Sequence, residues 1–548
     1  MEAGQILTGV VKYSAGAGIS TYLKAFSSIN HLSALLLLII NSEKIVSIII
    51  SALLGMISFQ AIGLFIYSIN KNICISVIGV ILIYFANYVG PGVIYPIWFL
   101  GHIHTFGILG LSFIVLIIAL INIGAYGIAF FCLGLAPCVH MTWAAWLFLV
   151  LLISASLQWD FAKGIIKKYY RYFIAGLFVT IVLLIYQFYL NRATPVIDSE
   201  IKKQYLDSYV KYWDYHRVKF YWGWESLERH AESEGIPFCV CCIAAGLFCL
   251  KYFKKDDSLI FISTVIIVSG ILSLLFGLIT QIPPEKIPFF LYSIMPGRFI
   301  NLNNILVAAF FIGVLTRYEI RPYIFGYNLY VLLLVSSFFS KHWEVQIIVF
   351  AIILSWFLYL ICAKNSVSHR LLGSIREHTV SYEKLLLIFT LLFIFVNLPR
   401  HKFISKYLFH RSDFKDRTNN EFYLTISKRD GLLATCDYLS LIQLRTRRPL
   451  LVDIESDFII YTPEDVVAYN NILQKVYGIN LLIPPPKELQ HRVIAPKLYK
   501  TMWEKRTIEE WQQIRRDFNV TDILSPEDWK LSLPVVIKAE KMILYSIP

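Results

Sequence analysis

From about residue 45 to about residue 398 the sequence is a succession of apolar stretches, each close to the ~20 residues that a helix needs to cross a bilayer core. Candidate spans fall at 45–69, 73–89, 105–122, 124–140, 142–158 and 170–190. After a long interruption, more follow at 238–253, 259–280, 303–316, 322–338, 345–363 and 383–398. The expected fold class is mainly α: a polytopic transmembrane helix bundle of about twelve spans, followed by a C-terminal soluble α/β domain. Hydrophobic residues make up 57% of the chain and charged residues 16%, more apolar surface than a water-soluble core could hide.

Charge gives the spans a direction. The net charge of +13 does not form one basic face, which argues against nucleic acid as a partner. The cations sit in short links instead: Lys163, Lys167, Lys168 and Arg171; Lys251, Lys254 and Lys255; Arg317 and Arg321; His369, Arg370 and Arg376. Counted through the spans, all four links fall on one side, and the positive-inside rule makes that side cytoplasmic. The loops 90–104, 191–237 and 281–302 then lie on the outer face, with the tail from residue 399. Three regions result: an outer-face segment 1–44, a transmembrane domain 45–398, and a soluble periplasmic or extracellular α/β domain 399–548. Within 1–44, Tyr22 to Ile40 is apolar only in its second half and carries Lys24, Asn30 and His31. It suits an amphipathic helix at the outer interface, with a thirteenth span as the competing reading. The nine cysteines lie mostly inside apolar stretches and read as packing residues, not as a disulfide framework.

After Leu398 charges become dense and short apolar runs alternate with helical patterns. Gly431–Cys436 reads as a buried strand, Tyr438–Arg447 as a helix with a basic end, and Pro449–Ile454 as a second strand, a βαβ-like rhythm. Thr462 and Pro463 signal the start of a helix that ends at Gly478. A further helix is expected over Thr507–Phe518, and strands over Val535–Ile547. No phosphate-binding Gly-rich loop, metal-ligand spacing or nucleophile elbow appears in this domain.

Chemistry must come from few residues. Before Asp160 the chain has two carboxylates, Glu2 and Glu43. A glutamate at a membrane surface can act as general base or hold a divalent cation against a phosphate leaving group. For Glu43, beside Ser42 at the start of a span, the cap reading is favoured; Glu2 is the candidate catalytic residue, with a solvated end or a helix cap as the alternative. The loop GPGVIYPIWFLGHIHTFG offers His102 and His104 among aromatics suited to sugar stacking, against a bland reading as a tight re-entry. His140, in GLAPCVHMTW, is an ionisable group at a span end, with a backbone-bonded helix-end histidine as the alternative. Arg298, in MPGRFINLNN, can hold a phosphate bidentately or snorkel to lipid phosphates. Asp214, His216, Arg217 and Glu225 lie among Tyr and Trp in the 191–237 loop, a pattern shared by sugar sites and interfacial aromatic belts.

This layout resembles the C-type (GT-C superfamily) polyprenyl-phosphate-sugar-dependent membrane glycosyltransferases: many spans, site-like residues on the outer face, an acidic residue in the first outer segment and an outer C-terminal domain. The phrases GHIHTFG, GLAPCVH, MPGRFINLNN and DGLLATCDYLSLIQLRTRRPLLVD also look like a bacterial membrane-protein group, a likeness that implies no reaction. The glycosyltransferase family usually opens with one span before its acidic loop. Here Glu2 stands at the acidic position, so that first span has no counterpart in this sequence. The resemblance implies a bacterial inner (plasma) membrane location, a polyprenyl-phosphate sugar donor, and a glycan, lipid or protein acceptor among membrane lipids. Glu2 would take the acceptor proton or help to hold a divalent cation. Arg298 would stabilise the departing phosphate, and the histidines and loop aromatics would position the sugar. A transporter or flippase of lipid-linked saccharide and a noncatalytic envelope-assembly protein are the alternatives; the convincing internal repeat that a transporter usually carries is not found.

Overall fold

The computed structural model describes residues 1–13, 27–86, 106–191, 198–205, 207–208, 213, 235–252, 256–279, 299–317, 414–436, 441–452, 465–485 and 496–548. It is mainly helical, with one small sheet near the C-terminus. Two short N-terminal helices come first, α1 (Glu2–Leu7) and α2 (Ser28–Ile40). A body of apolar helices follows: α3 (Glu43–Asn70), α4 (Ile73–Ala86), α5 (Phe106–Asn122), α6 (Tyr126–Val139), α7 (Met141–Leu157) and α8 (Trp159–Asn191). After the short α9 (Ser199–Tyr205), α10 (Gly235–Tyr252), α11 (Asp257–Ile279) and α12 (Ile300–Leu315) complete the described part of the body. The described parts of the nine apolar stretches expected up to residue 316 are thus mainly helical, and those expected at 322–338, 345–363 and 383–398 lie outside the described residues. Among the described residues, three helices are long and apolar enough to cross a membrane: Glu43–Asn70, Trp159–Tyr189 and Asp257–Phe276.

Local chemistry sets the helix ends. Asn41 and Lys71 take left-handed backbone where α2 and α3 stop, and the Ser42 hydroxyl accepts from the Ile45 amide at 3.5 Å as α3 begins. Pro137 cannot supply an amide proton to the last turn of α6, which ends two residues later. The helix α2, at 13 residues, is about 20 Å long, short of the ~30 Å hydrocarbon core that a thirteenth span would have to cross. One expected break is absent. Lys163, Lys167, Lys168 and Arg171 do not form a link; they are exposed side chains in the first half of the continuous α8. Helix-favouring residues run through that segment with no Gly-Pro punctuation strong enough to end it, and Gly164 alone is tolerated.

The helices pack through small residues and neutral polar groups. Where α6 and α8 run side by side, a Cβ on Gly134 would lie 2.4 Å from the Phe173 carbonyl oxygen and one on Gly176 2.1 Å from that of Phe131, so the backbones touch only because both positions are glycine. Thr180 Oγ1 donates to the Gly134 carbonyl at 2.7 Å across the same contact. Asn303, fully buried in α12, donates through Nδ2 to Ser273 Oγ at 2.6 Å, and Ser269 bonds its Oδ1. Asn70 reaches Thr316 Oγ1 at 2.9 Å, and Asn122 reaches Ser68 Oγ at 2.7 Å.

The C-terminal domain holds α13 (Glu421–Ser427), β1 (Leu432–Thr435), α14 (Ile442–Thr446), α15 (Val466–Ile472, running on as a π-helical turn to Tyr477), α16 (Pro496–Lys505) and α17 (Ile508–Phe518). Three strands close it: β2 (Val520–Pro526), β3 (Val535–Ala539) and β4 (Met542–Ser546). The sheet order is β1-β2-β4-β3, with β1 and β2 parallel and the other pairs antiparallel. The central strand β2 is one that the sequence reading did not pick out. Of the expected second strand at Pro449–Ile454, the described residues 449–452 make a single parallel bridge from Leu450 to Leu433, and 453–454 lie outside the described residues. The expected capping box is present: Thr507 and Glu510 each bond the other's backbone amide, at 3.3 and 2.8 Å. Trp503, Trp511, Trp529, Tyr477, Tyr499 and Tyr545 form the buried core with Ile523 and Leu473. Tyr205 and Trp213, from the segment after α8, are buried in that same core, where Trp213 Nε1 donates to the Ile483 carbonyl at 3.0 Å. The domain is therefore built on the helical body, not strung behind it.

Candidate functional site

Of the residues singled out in the sequence, the described part of the structure contains Glu2 and His140. Arg298, His102, His104, Asp214, His216, Arg217 and Glu225 lie outside the described residues.

Glu2 opens α1, and its carbonyl accepts from Gln443 Nε2 of α14 at 3.3 Å. His140 joins α6 to α7. Its Nδ1 accepts from the Trp143 amide at 3.4 Å, and its Cβ lies so near Gly110 of α5 that a side chain there would collide with it. That is the geometry of a backbone-bonded histidine at a helix end. The chain neighbours of Glu2 and His140, Met1 and Val139, pack against one small apolar cluster, formed by Leu37, Val46, Ile50, Leu54 and Leu109. Phe299, which follows Arg298 in the chain, is buried against Trp146 and Phe276 at the ends of α7 and α11.

The same end of the body carries a polar joint. Glu43, in the first turn of α3, is 3% exposed, and four donors from distant parts of the chain converge on it. Arg417 reaches Oε2 through both terminal nitrogens at 3.3 Å, Arg447 bonds Oε1 through Nε, and Gln5 Nε2 reaches Oε1 at 3.1 Å. Arg447 also donates to Asn41 Oδ1 at 3.1 Å. Gln5 is itself buried and shares its amide with the Leu444 carbonyl at 3.2 Å, while Tyr13 OH donates to Gln443 Oε1 at 2.8 Å and accepts from the Leu450 amide at 3.1 Å. So α1, the α2–α3 turn and α14 meet around one carboxylate. The expected cap role of Glu43 belongs to Ser42; Glu43 is an ion-paired group between the body and the domain. Arg447 holds left-handed backbone (φ 58°), which costs a residue with a Cβ about 1–2 kcal/mol.

The opposite end of the body has a different character. Asp256 accepts from Arg317 at 2.7 Å and from the Leu259 amide at 3.0 Å, and Arg317 also donates to the Ile69 carbonyl at 3.3 Å. Partial burial pushes the Asp256 carboxyl up, but the Arg317 hydrogen bond, the Leu259 amide and the Arg317 charge outweigh it and hold the group below the usual carboxylate range. Burial beside this pair lowers the Lys71 ammonium, against the pull of Asp256.

Inside the domain, Asp522 is fully buried and bonds Arg448, itself 1% exposed, and Arg429 at 2.7 Å. Burial lowers the Arg448 guanidinium and Asp522 opposes the shift. Among the described residues, no group of three or more His, Cys, Asp or Glu side chains is placed to hold a metal ion. Sequence reading missed Arg417 and Arg447 as partners of Glu43. The signals available were the basic run Arg445, Arg447, Arg448 and the scarcity of carboxylates near the N-terminus. Compared with known proteins, the chain matches no family model and no curated protein.

Proposed function

We propose that this chain is a membrane-embedded glycosyltransferase of the C type, which moves a sugar from a polyprenyl-phosphate donor to a cell-envelope glycan, lipid or protein acceptor. The observation that carries this reading is shared placement. Met1 and Val139, the chain neighbours of Glu2 and His140, pack against one apolar cluster at the end of the body where the C-terminal domain docks. A lipid-anchored sugar would present its headgroup at such a boundary between apolar helices and a polar domain.

In this reading the apolar helices span a membrane. The exposed Lys163, Lys167, Lys168 and Arg171 and the Asp256–Arg317 pair face the cytoplasm, and the domain faces outward. The continuous α8, about 50 Å long, exceeds the ~30 Å hydrocarbon core, so its basic first turns reach into the headgroup layer. Glu2 takes the acceptor proton, and Arg298 stabilises the departing phosphate. A second reading, a noncatalytic envelope-assembly protein, draws on the hydrogen bonds that tie α1 to α14, which suit a tether as well as a catalytic segment.

Purified full-length protein in lipid nanodiscs, incubated with a panel of polyprenyl-phosphate sugars and candidate acceptors, should form a new glycosidic bond. Glu2→Gln and Arg298→Ala should each lower turnover at least 100-fold with unchanged thermal unfolding. Lipid movement without a new bond would replace the transferase with a flippase, and normal transfer by Arg298→Ala would remove that residue from the site.

A further inference from the structure

We propose that Glu43 is the positioning residue of an electrostatic latch that holds the C-terminal domain and the N-terminal helix α1 against the helical body, with Arg417 and Arg447 as its domain-side partners. The inference goes beyond the sugar-transfer reading and does not depend on it.

Three independent observations converge. Among the described residues of the body helices α3–α8 and α10–α12, Glu43 is the only buried charged side chain; every other buried polar residue there is Ser, Thr, Asn or Gln. A charge taken out of water is retained only where its partners are good, and here both carboxylate oxygens are met by charged donors. Those donors come from 374 and 404 residues away, so the group serves a contact between parts of the molecule and not its own helix. Arg447, finally, occupies backbone that glycine would adopt without strain, and from it the guanidinium spans Glu43 and Asn41. A residue chosen only to end α14 would be Gly or Asn.

The latch also fixes α1. Gln5 donates to Glu43 and to the Leu444 carbonyl, so removal of the Glu43 charge loosens both sides of the joint at once. Arg417 is further tied to its own domain, its amide donating to the Arg445 carbonyl at 3.0 Å, so the domain moves as a unit when the latch opens.

Hydrogen exchange of the full chain in lipid nanodiscs tests this from both sides. In Glu43→Gln, the amides of α14 should exchange at least tenfold faster, with β2 and α11 unchanged. In Arg447→Gly, which relaxes the left-handed backbone while deleting the guanidinium, the amides of α1 should exchange at least tenfold faster. Wild-type exchange of α1 in Arg447→Gly would overturn the latch, because a purely local turn residue replaced by glycine leaves the far side of the joint unaffected. Should Glu43→Gln also disturb α11, the Arg447→Gly result decides alone, since it leaves the body's sequence intact.

Discussion

The helical body and the C-terminal domain bury polar groups in different ways. In the body the buried network is neutral: Asn303 with Ser269 and Ser273, Asn70 with Thr316, Asn122 with Ser68, Ser58 with Ser112. In the domain neutral groups such as Asn470 are accompanied by buried ions, with Asp522 between Arg448 and Arg429 in the interior and Arg506 over the face of Trp511. The contrast fits the membrane-embedded body proposed above. Hydroxyls and amides can fall back on their own helix when a partner is lost, whereas an interior ion cannot, so an environment without water selects the first kind. Glu43 is the exception that marks the boundary, a buried charge carried by a body helix and neutralised by the domain.

The largest effect that would break this comparison is expected at Asp522. Its replacement by alanine leaves Arg448, 1% exposed, without its counter-ion, and a buried charge stripped of its partner costs about 3–5 kcal/mol. Native-state exchange in increasing denaturant should show β1 and β2 losing that much protection while α11 and α12 keep theirs. A loss under ~1 kcal/mol would mean that water reaches Arg448 and that the domain's interior is not ionic in the sense described.

In the body the corresponding deletion should be mild. Asn303→Ala removes the bonds to Ser269 and Ser273, yet both serines can return their hydroxyls to carbonyls of their own helix. Hydrogen bonds between helices in apolar surroundings are typically worth about 0.6–1.7 kcal/mol, and the unfolding free energy of the body should fall by about 1 kcal/mol. A loss as large as that at Asp522 would dissolve the distinction between the two regions.

How much of this was legible in the sequence depends on distance along the chain. Helix existence in the body followed from unbroken apolar runs, and the Thr507–Glu510 box announced α17 because all its chemistry lies within four residues. The strand β2 was missed because VTDILSP carries Asp522 where a buried strand should be apolar, and that aspartate is tolerated only through Arg448 and Arg429, 74 and 93 residues away. Glu43 was misread for the same reason: beside Ser42 it looks like a cap, and nothing local reveals guanidiniums 374 and 404 residues later. Of the candidate site, the sequence brought forward Glu2 and His140 individually. The cluster that joins their neighbours Met1 and Val139, made by Leu37, Val46 and Leu109, is a product of tertiary packing alone.

The smallest expected effect concerns the Asp256–Arg317 pair at the far end of the body, where the comparison becomes a matter of pH. Asp256 is held below the ordinary carboxylate range in the folded state, so its contribution is complete above the unfolded value of ~3.9 and is lost as pH falls through the folded value. Stability from this pair should therefore be flat through neutral pH and decline only below about pH 4. With the Asp256 side chain 31% exposed, the pair is worth under about 1 kcal/mol, and Asp256→Asn should lower the melting temperature slightly at pH 7. The same substitution should flatten the difference between pH 7 and pH 3.5, since the group that titrates is gone. Melting curves of the two proteins at those pH values read both quantities. An equal acid-induced drop in both would assign the acid limb to other carboxylates, with Asp517, Asp528 and Glu540 of the domain next in line, each held below its usual range first by a lysine hydrogen bond. Acid sensitivity would then belong to the domain and to its joint with the body at Glu43, and the far end of the body would be indifferent to pH.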